Sequence, residues 1–258
     1  MHFMRSDFQR DMEGIFWRVD EMLAREASPL EYAAIQVLGF DSQSLTADIQ
    51  FSVTPKEISP NTVISLDFGD EVVEMERNGF GFSSSISRDI FSPATPLVLI
   101  HEGDSTRIAT DRRISADHLM EQFLPRMMPM FFGMSSHRYG GWEVNGNLLI
   151  QLIHAAAITF EQMYLLVTVD GAEILRTDIP MEYLGGASPM WNFSQTFDLD
   201  ESQVVHMYVI AADSIGLTYR HLIWAGGQTA RGLMLDGART IYASDGTALW
   251  VDELTWFE

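Results

Sequence analysis

The stretch Gln203–Trp224, QVVHMYVIAADSIGLTYRHLIW, constrains this chain more than any other. Val205, Met207, Val209 and Ala211 alternate with Val204, Tyr208 and Ile210, so both faces of one extended segment are apolar, the pattern of a strand covered on both sides. A helix also tolerates so apolar a run. The β-branched and aromatic content, and the break at Asp213-Ser214-Ile215-Gly216, favour a strand that turns into a second one over Leu217–Trp224.

A fainter copy of this pattern lies upstream. Leu97-Val98-Leu99-Ile100 runs into His101-Glu102-Gly103-Asp104-Ser105, an apolar run ending in a small acidic turn. Ile49-Gln50-Phe51 stands 101 residues before Ile150-Gln151-Leu152, and Ser65-Leu66-Asp67-Phe68 stands 101 before Leu166-Val167-Thr168-Val169. Phe82-Ser83 has a partner in Phe193-Ser194. A constant offset across two strand-like segments points to tandem duplication; two unrelated β segments drawing on the same small alphabet are the competing reading.

Ala211, Asp213 and Gly216 form an A-x-D-x-x-G turn at the end of an apolar run, which resembles the closing hairpin of immunoglobulin-like modules in bacterial and phage proteins. The resemblance covers roughly a third of such a module, and no Cys…Trp…Cys framework accompanies it, because the chain has no cysteine. It implies a mainly β protein of two tandem immunoglobulin-like sandwiches and, with it, a structural role in a phage or phage-like particle.

Composition narrows the partners. The 258 residues can hold one large β domain or two of about a hundred residues, and the internal echo selects two. Net charge is −20, from 36 acidic and 16 basic side chains, with Lys56 the sole lysine. Such a field repels phosphate backbones and anionic lipid, so sequence-specific nucleic-acid binding and membrane association are not expected. The absence of cysteine fits a reducing cytoplasm and equally a virion assembled in one. The first residues lack a hydrophobic signal core, and the longest apolar run, 148–160, is too short for the ~20 residues a membrane helix needs.

Taken in order, residues 1–28 contain an N-terminal amphipathic helix over 6–26, opened by Ser6 and Gln9 and striped by Phe8, Met12, Ile15, Phe16, Val19, Met22 and Leu23. Residues 29–114 form the first sandwich, although Ser28-Pro29-Leu30-Glu31 could instead open a second helix. Residues 115–141 are expected as a short helical, Met-rich connector: Ser115 caps 116–124 and Pro125 ends it. The second sandwich covers 142–226, with Asn145-Gly146 and Asp170-Gly171 as hairpin turns. Residues 227–258 form a C-terminal β-hairpin outside that repeat, turning at Ser244-Asp245-Gly246.

The run Met127-Met128-Pro129-Met130-Phe131-Phe132 is the most distinctive passage, since methionine adapts to irregular contact surfaces. It is either a core plug between the two sandwiches, a subunit interface or a lipid-contacting loop. Together with Phe8, Met12 and Phe16 of the helix and the terminal Trp256 and Phe257, it supplies the candidate interface of a homo-oligomer that also contacts other particle proteins.

Enzymatic signatures are missing from the text. Gly81-Phe82-Ser83-Ser84-Ser85 lacks the second glycine of a nucleophile elbow, and the glycine pairs at 140, 185 and 226 match neither a P-loop nor a dinucleotide fingerprint. His206 and His221 could meet across the hairpin over a metal, and Asp198, Asp200 and Glu201 could hold calcium, but neither has ligand spacing. No catalytic residue, cofactor or metal is assigned. A non-enzymatic tail, neck or head-decoration protein is therefore expected; the alternative is a glycan- or protein-binding module with Trp142, Trp191 and Trp224 as a stacking platform, and an enzyme assembled from distant loops is a third reading.

Overall fold

The computed structural model describes residues 26–138, 141–153, 158–180, 190–198, 203–227 and 238–252. The protein is mainly β, and its sheets are antiparallel. It divides into two compact units, Met1–Leu119 and Met120–Glu258.

In the first unit, β1 (Leu30–Asp41) turns into β2 (Thr46–Pro55) because the Asp41 carboxylate accepts the Gln43 N–H and the Ser44 hydroxyl, an Asx-type turn. The second-helix alternative at 28–31 is not formed, since β1 begins at Leu30. Then come β3 (Thr62–Asp67), β4 (Val72–Glu74), β5 (Glu76–Asn78), β6 (Gly81–Asp89), β7 (Leu97–Glu102) and β8 (Ser105–Ala109). They make two four-stranded sheets, ordered β1-β2-β6-β5 and β4-β3-β7-β8. Ala47, Ile49, Phe51 and Val53 alternate inward along β2 and meet Ile64, Leu66, Val98 and Ile100 of the other sheet in a fully buried layer. Phe51 packs edge-on against Phe68 at 5.6 Å. Arg88 of β6 reaches across to the β3–β4 turn, forking onto Asp70 at 3.1 Å and Glu71 at 3.2 Å while its guanidinium lies over Phe68.

A 3₁₀ turn (Arg112–Ile114) is capped by Asp111, and α1 (Leu119–Phe123) follows. In the second unit the strands are β9 (Arg126–Arg138), β10 (Gly141–Ile153), β11 (Phe160–Val169), β12 (Ala172–Asp178), β13 (Trp191–Asp198), β14 (Val204–Asp213), β15 (Thr218–Gly227), β16 (Arg239–Tyr242) and β17 (Ala248–Val251). They form a three-stranded sheet, β13-β10-β9, and a six-stranded one, β12-β11-β14-β15-β16-β17. Met163, Leu165 and Val167 of β11 and Val205, Met207, Val209 and Ala211 of β14 are all buried. Of the other face of β14 only Ile210 is buried; Val204, His206, Tyr208 and Ala212 are half-buried.

The two units share a strand order. β1-β2-β6 reads as β9-β10-β13, and β4-β3-β7-β8 as β12-β11-β14-β15. Each segment pair matched in the sequence falls on corresponding strands: 49–51 with 150–152 on β2 and β10, 65–68 with 166–169 at β3 and β11, and 82–83 with 193–194 on β6 and β13.

Three expectations are corrected. The Met-rich run is no helical connector: only Leu119–Phe123 is helical, and residues 126–138 form an edge strand paired along its length with β10. Asn145-Gly146 is no turn, because β10 runs straight through it from Gly141 to Ile153. The last hairpin does not stand apart as a separate element: β16 pairs with β15 from Thr218↔Tyr242 to His221↔Arg239, so the hairpin adds two strands to the sheet of the second unit that have no counterpart among the described residues of the first. The helix expected over 6–26 lies outside the described residues, apart from Glu26.

Candidate functional site

Strand alternation sorts the Met/Phe run into two faces. Met127, Pro129 and Phe131 point inward and are buried, whereas Met128 and Phe132 are exposed, by 37% and 48%, and Met130 is half-buried. Across β10 the register places Gln151, Leu149 and Asn147 opposite Met128, Met130 and Phe132, and Ile153, 54% exposed, stands opposite Arg126. Among the described residues the result is a part-exposed, largely apolar strip, with Asn147 and Gln151 among its members, on a two-stranded ribbon at a sheet edge. Between Met127 and Met134 no charged side chain interrupts it. Isolated exposed apolar residues are ordinary; several together on an edge ribbon are less so.

Glycine fixes the shape of this ribbon. Gly133 and Gly146 face each other across β9 and β10, and a Cβ on either would come within 2.5 Å of the Phe131 ring. The ring therefore lies over the glycine pair, covering backbone that would otherwise be bare, as aromatics do beside strand glycines. Phe131 is the anchor that holds the ribbon, with Phe132 on the opposite face.

The outer face of the six-stranded sheet carries stacked cations. Arg220 sits 3.8 Å from the centre of the Tyr208 ring, with the His206 ring stacked at 6.1 Å on its other neighbour position. Arg176 covers Tyr164 at 4.5 Å and forks onto Glu173. Burial, with the nearby Arg220 charge adding to it, holds His206 below the ordinary histidine range. Arg220 and Arg176 thus lie over the Tyr208 and Tyr164 rings on this face.

The A-x-D-x-x-G turn closes around a buried carboxylate. Asp213 accepts the N–H groups of Ile215 at 3.1 Å and Leu217 at 2.9 Å through Oδ1, and the Tyr219 hydroxyl at 2.8 Å through Oδ2. Gly216, at φ +87°, takes the left-handed conformation that lets the chain return. Burial raises the Asp213 pKa against the pull of these hydrogen bonds, and raises that of Tyr219 far more. Every oxygen of the pair has a partner within the turn, so its chemistry is that of a strut. Tyr219 was not singled out in the sequence; its signal is the aromatic residue six places beyond the turn aspartate.

Two concavities lie in the second unit. An apolar cleft bounded by Leu124, Pro125, Met127, Ile241 and Trp250 encloses only about 30 Å³, room for about one water and not for a cofactor. A wider hollow of about 460 Å³ runs beside Ile174, Thr196 and Asp198. Asp198 is exposed there, while Asp200 and Glu201 lie outside the described residues.

The histidine pairing is corrected: Val209 is the partner of His221 and Ala225 that of His206, which leaves the two rings on opposite faces. Among the described residues no group of three or more His, Asp or Glu could hold a metal, and no helix is long and apolar enough to cross a membrane. Trp224 is buried and cannot be a stacking platform; Trp191 is half-buried against Phe193, and the Trp142 side chain is not described. Phe8, Met12, Phe16, Trp256 and Phe257 also lie outside the described residues. Of the expected interface, the structure thus brings Met128, Met130 and Phe132 together, adds Leu149 and Ile153, and turns Met127 and Phe131 inward. Compared with known proteins, the chain matches no family model and no curated sequence.

Proposed function

We propose that this chain is a non-enzymatic structural component of a phage or phage-like particle, built from two tandem immunoglobulin-like sandwiches and working through contacts between subunits. The strand order supports the module: β1-β2-β6-β5 against β4-β3-β7-β8 is the A-B-E-D against C′-C-F-G order of that fold, and the second unit repeats its essentials. The repetition, together with the constant sequence offset, supports origin by duplication.

The observation that carries the role is the part-exposed strip of Met128, Met130, Phe132, Leu149 and Ile153 on an edge ribbon. A protein with a net charge of −20 repels its own copies at long range, so association needs a charge-free surface where short-range apolar burial can win. The strip is such a surface.

Mass photometry and sedimentation at physiological salt test the reading. A stable oligomer is expected, and Met130→Glu with Phe132→Glu should convert it to monomer without loss of folded structure. A parent chain that stays monomeric at micromolar concentration, and joins no particle, would overturn it.

A further inference from the structure

The sequence contains two Asn-Gly pairs, Asn78-Gly79 and Asn145-Gly146, and the fold holds them in opposite ways. Such a pair carries its own chemistry. Glycine has no side chain to hinder its amide nitrogen, so that nitrogen can reach the carboxamide carbon of the asparagine before it once the asparagine ψ leaves the extended range. Tertiary structure decides whether the backbone can turn that far.

Asn78 ends β5, an edge strand of three exposed residues paired with β6. The last rung is Asn78↔Gly81, and beyond it Gly79-Phe80 make a two-residue turn, with Gly79 at φ +65° and Phe80 81% exposed. A Cβ on Gly79 would meet no atom within 4 Å, so the space beside its backbone is open. One residue back, the Arg77 guanidinium donates to the Ser59 carbonyl at 3.3 Å and the Pro60 carbonyl at 2.9 Å, which pins the base of the hairpin while its tip opens. Turning Asn78 out of the extended range breaks that terminal rung and the hydrogen bond from its carboxamide to the Ser83 hydroxyl. Residues 78–80 are exposed already, so little else is lost.

Asn145 stands in the middle of β10, the central strand of its sheet. Gly146 is paired with Gly133 on one side and Phe193 on the other, and the Phe131 ring lies against it. The same rotation there would pull β10 from both neighbours and from that ring.

We infer that Asn78 is a site of spontaneous modification, a deamidation that the fold permits at 78 and suppresses at 145. The Gly79 nitrogen gives up its proton and bonds to the Asn78 Cγ; the Cγ–Nδ2 bond breaks, and Nδ2 leaves with that proton as ammonia. Water then opens the five-membered imide at either carbonyl, giving aspartate or, where the main chain now runs through Cγ, isoaspartate. Water is the only co-reactant, and nothing is oxidised or reduced. Either product adds one negative charge to a chain already at −20. Isoaspartate also lengthens the backbone by one methylene, so the rung to Gly81 no longer closes.

The test incubates the full chain at mildly alkaline pH, native and in urea, and follows both pairs by peptide mapping, reading the amide-to-acid mass change at each. In urea the two pairs, which share their glycine, should convert at similar rates. In the native chain conversion at 145 should fall at least about a hundredfold, because opening a central strand costs nearly as much as unfolding the unit, while 78 should stay within about tenfold of its rate in urea. Asn78→Gln, which would need a six-membered ring, should remove the mass change from that peptide and leave the rest of the map as it was. Native protection of Asn78 equal to that of Asn145 would overturn the inference. Native conversion of Asn145 as fast as that of Asn78 would do so too, since the sequence and not the fold would then set both rates.

Discussion

The two units share a strand order but secure their closing carboxylates in opposite ways. In the first, Asp111 caps the 3₁₀ turn and accepts the Ser28 hydroxyl at 3.0 Å, the Arg113 backbone N–H at 3.0 Å and the Arg113 guanidinium at 2.7 and 2.9 Å. Burial pushes its pKa up, but the hydrogen bonds and charge of Arg113, with Ser28, outweigh that and leave it lowered. In the second, Asp213 is buried among two N–H groups and a tyrosine hydroxyl with no cation among the groups that set its pKa, and burial prevails. Hydrogen bonds alone hold the second carboxylate; a charge holds the first. An arginine is thus the difference between a carboxylate whose ionisation stabilises its unit and one whose ionisation weighs against it.

The largest expected effect comes from removing the uncharged strut. Asp213→Ala leaves the buried Leu217 N–H, the part-buried Ile215 N–H and the Tyr219 hydroxyl without an acceptor and should lower stability in urea by about 3 kcal/mol. Gly146→Val comes next: its new side chain would collide with the Phe131 ring and the backbone of Gly133, for a loss of about 2 kcal/mol by the same measurement, whereas Asn145→Ser should change little. Asp111→Asn, which retains one acceptor oxygen, should cost about 1 kcal/mol near neutral pH.

The pH dependence separates the two carboxylates by sign. With its folded pKa lowered, Asp111 adds stability above the ordinary carboxylate value that is lost as pH falls through the folded one, so the deficit of Asp111→Asn should shrink on acidification. With its folded pKa raised, Asp213 lets the native state bind more protons than the unfolded chain between the ordinary and the raised value. Stability therefore falls as pH rises across that window, and the deficit of Asp213→Asn should shrink in the other direction, on going from pH 4 to 7. Denaturation of both variants across this range checks the pair; parallel slopes would refute the contrast. The smallest effect on stability is expected at the strip: Phe132→Glu should shift unfolding by less than about 0.5 kcal/mol while abolishing association.

Much of the fold is legible in the sequence because local chemistry decides it. The alternation over β2 and β14, and the turn made by Asp213 and Gly216, depend on a few adjacent residues. The Met/Phe run hid its period because both of its faces are apolar, and only the pairing with β10 shows that Met127 and Phe131 differ in fate from Met128 and Phe132. Asn145-Gly146 misled for a related reason: its glycine makes room for the ring of Phe131 fifteen residues earlier, a demand that no local turn rule contains. The candidate site was half legible, since Leu149 and Ile153 join it only through that register.

By itself the sequence determined the β class, the spacing of two similar segments and the acidity of the surface, all of which rest on near neighbours in the chain or on sums over it. Tertiary structure alone decided that the last hairpin extends the second unit's sheet, that His206 and His221 lie on opposite faces, and that the Met-rich run is an edge strand. Strand register is set between segments far apart in sequence, and a one-residue shift moves every side chain to the other face.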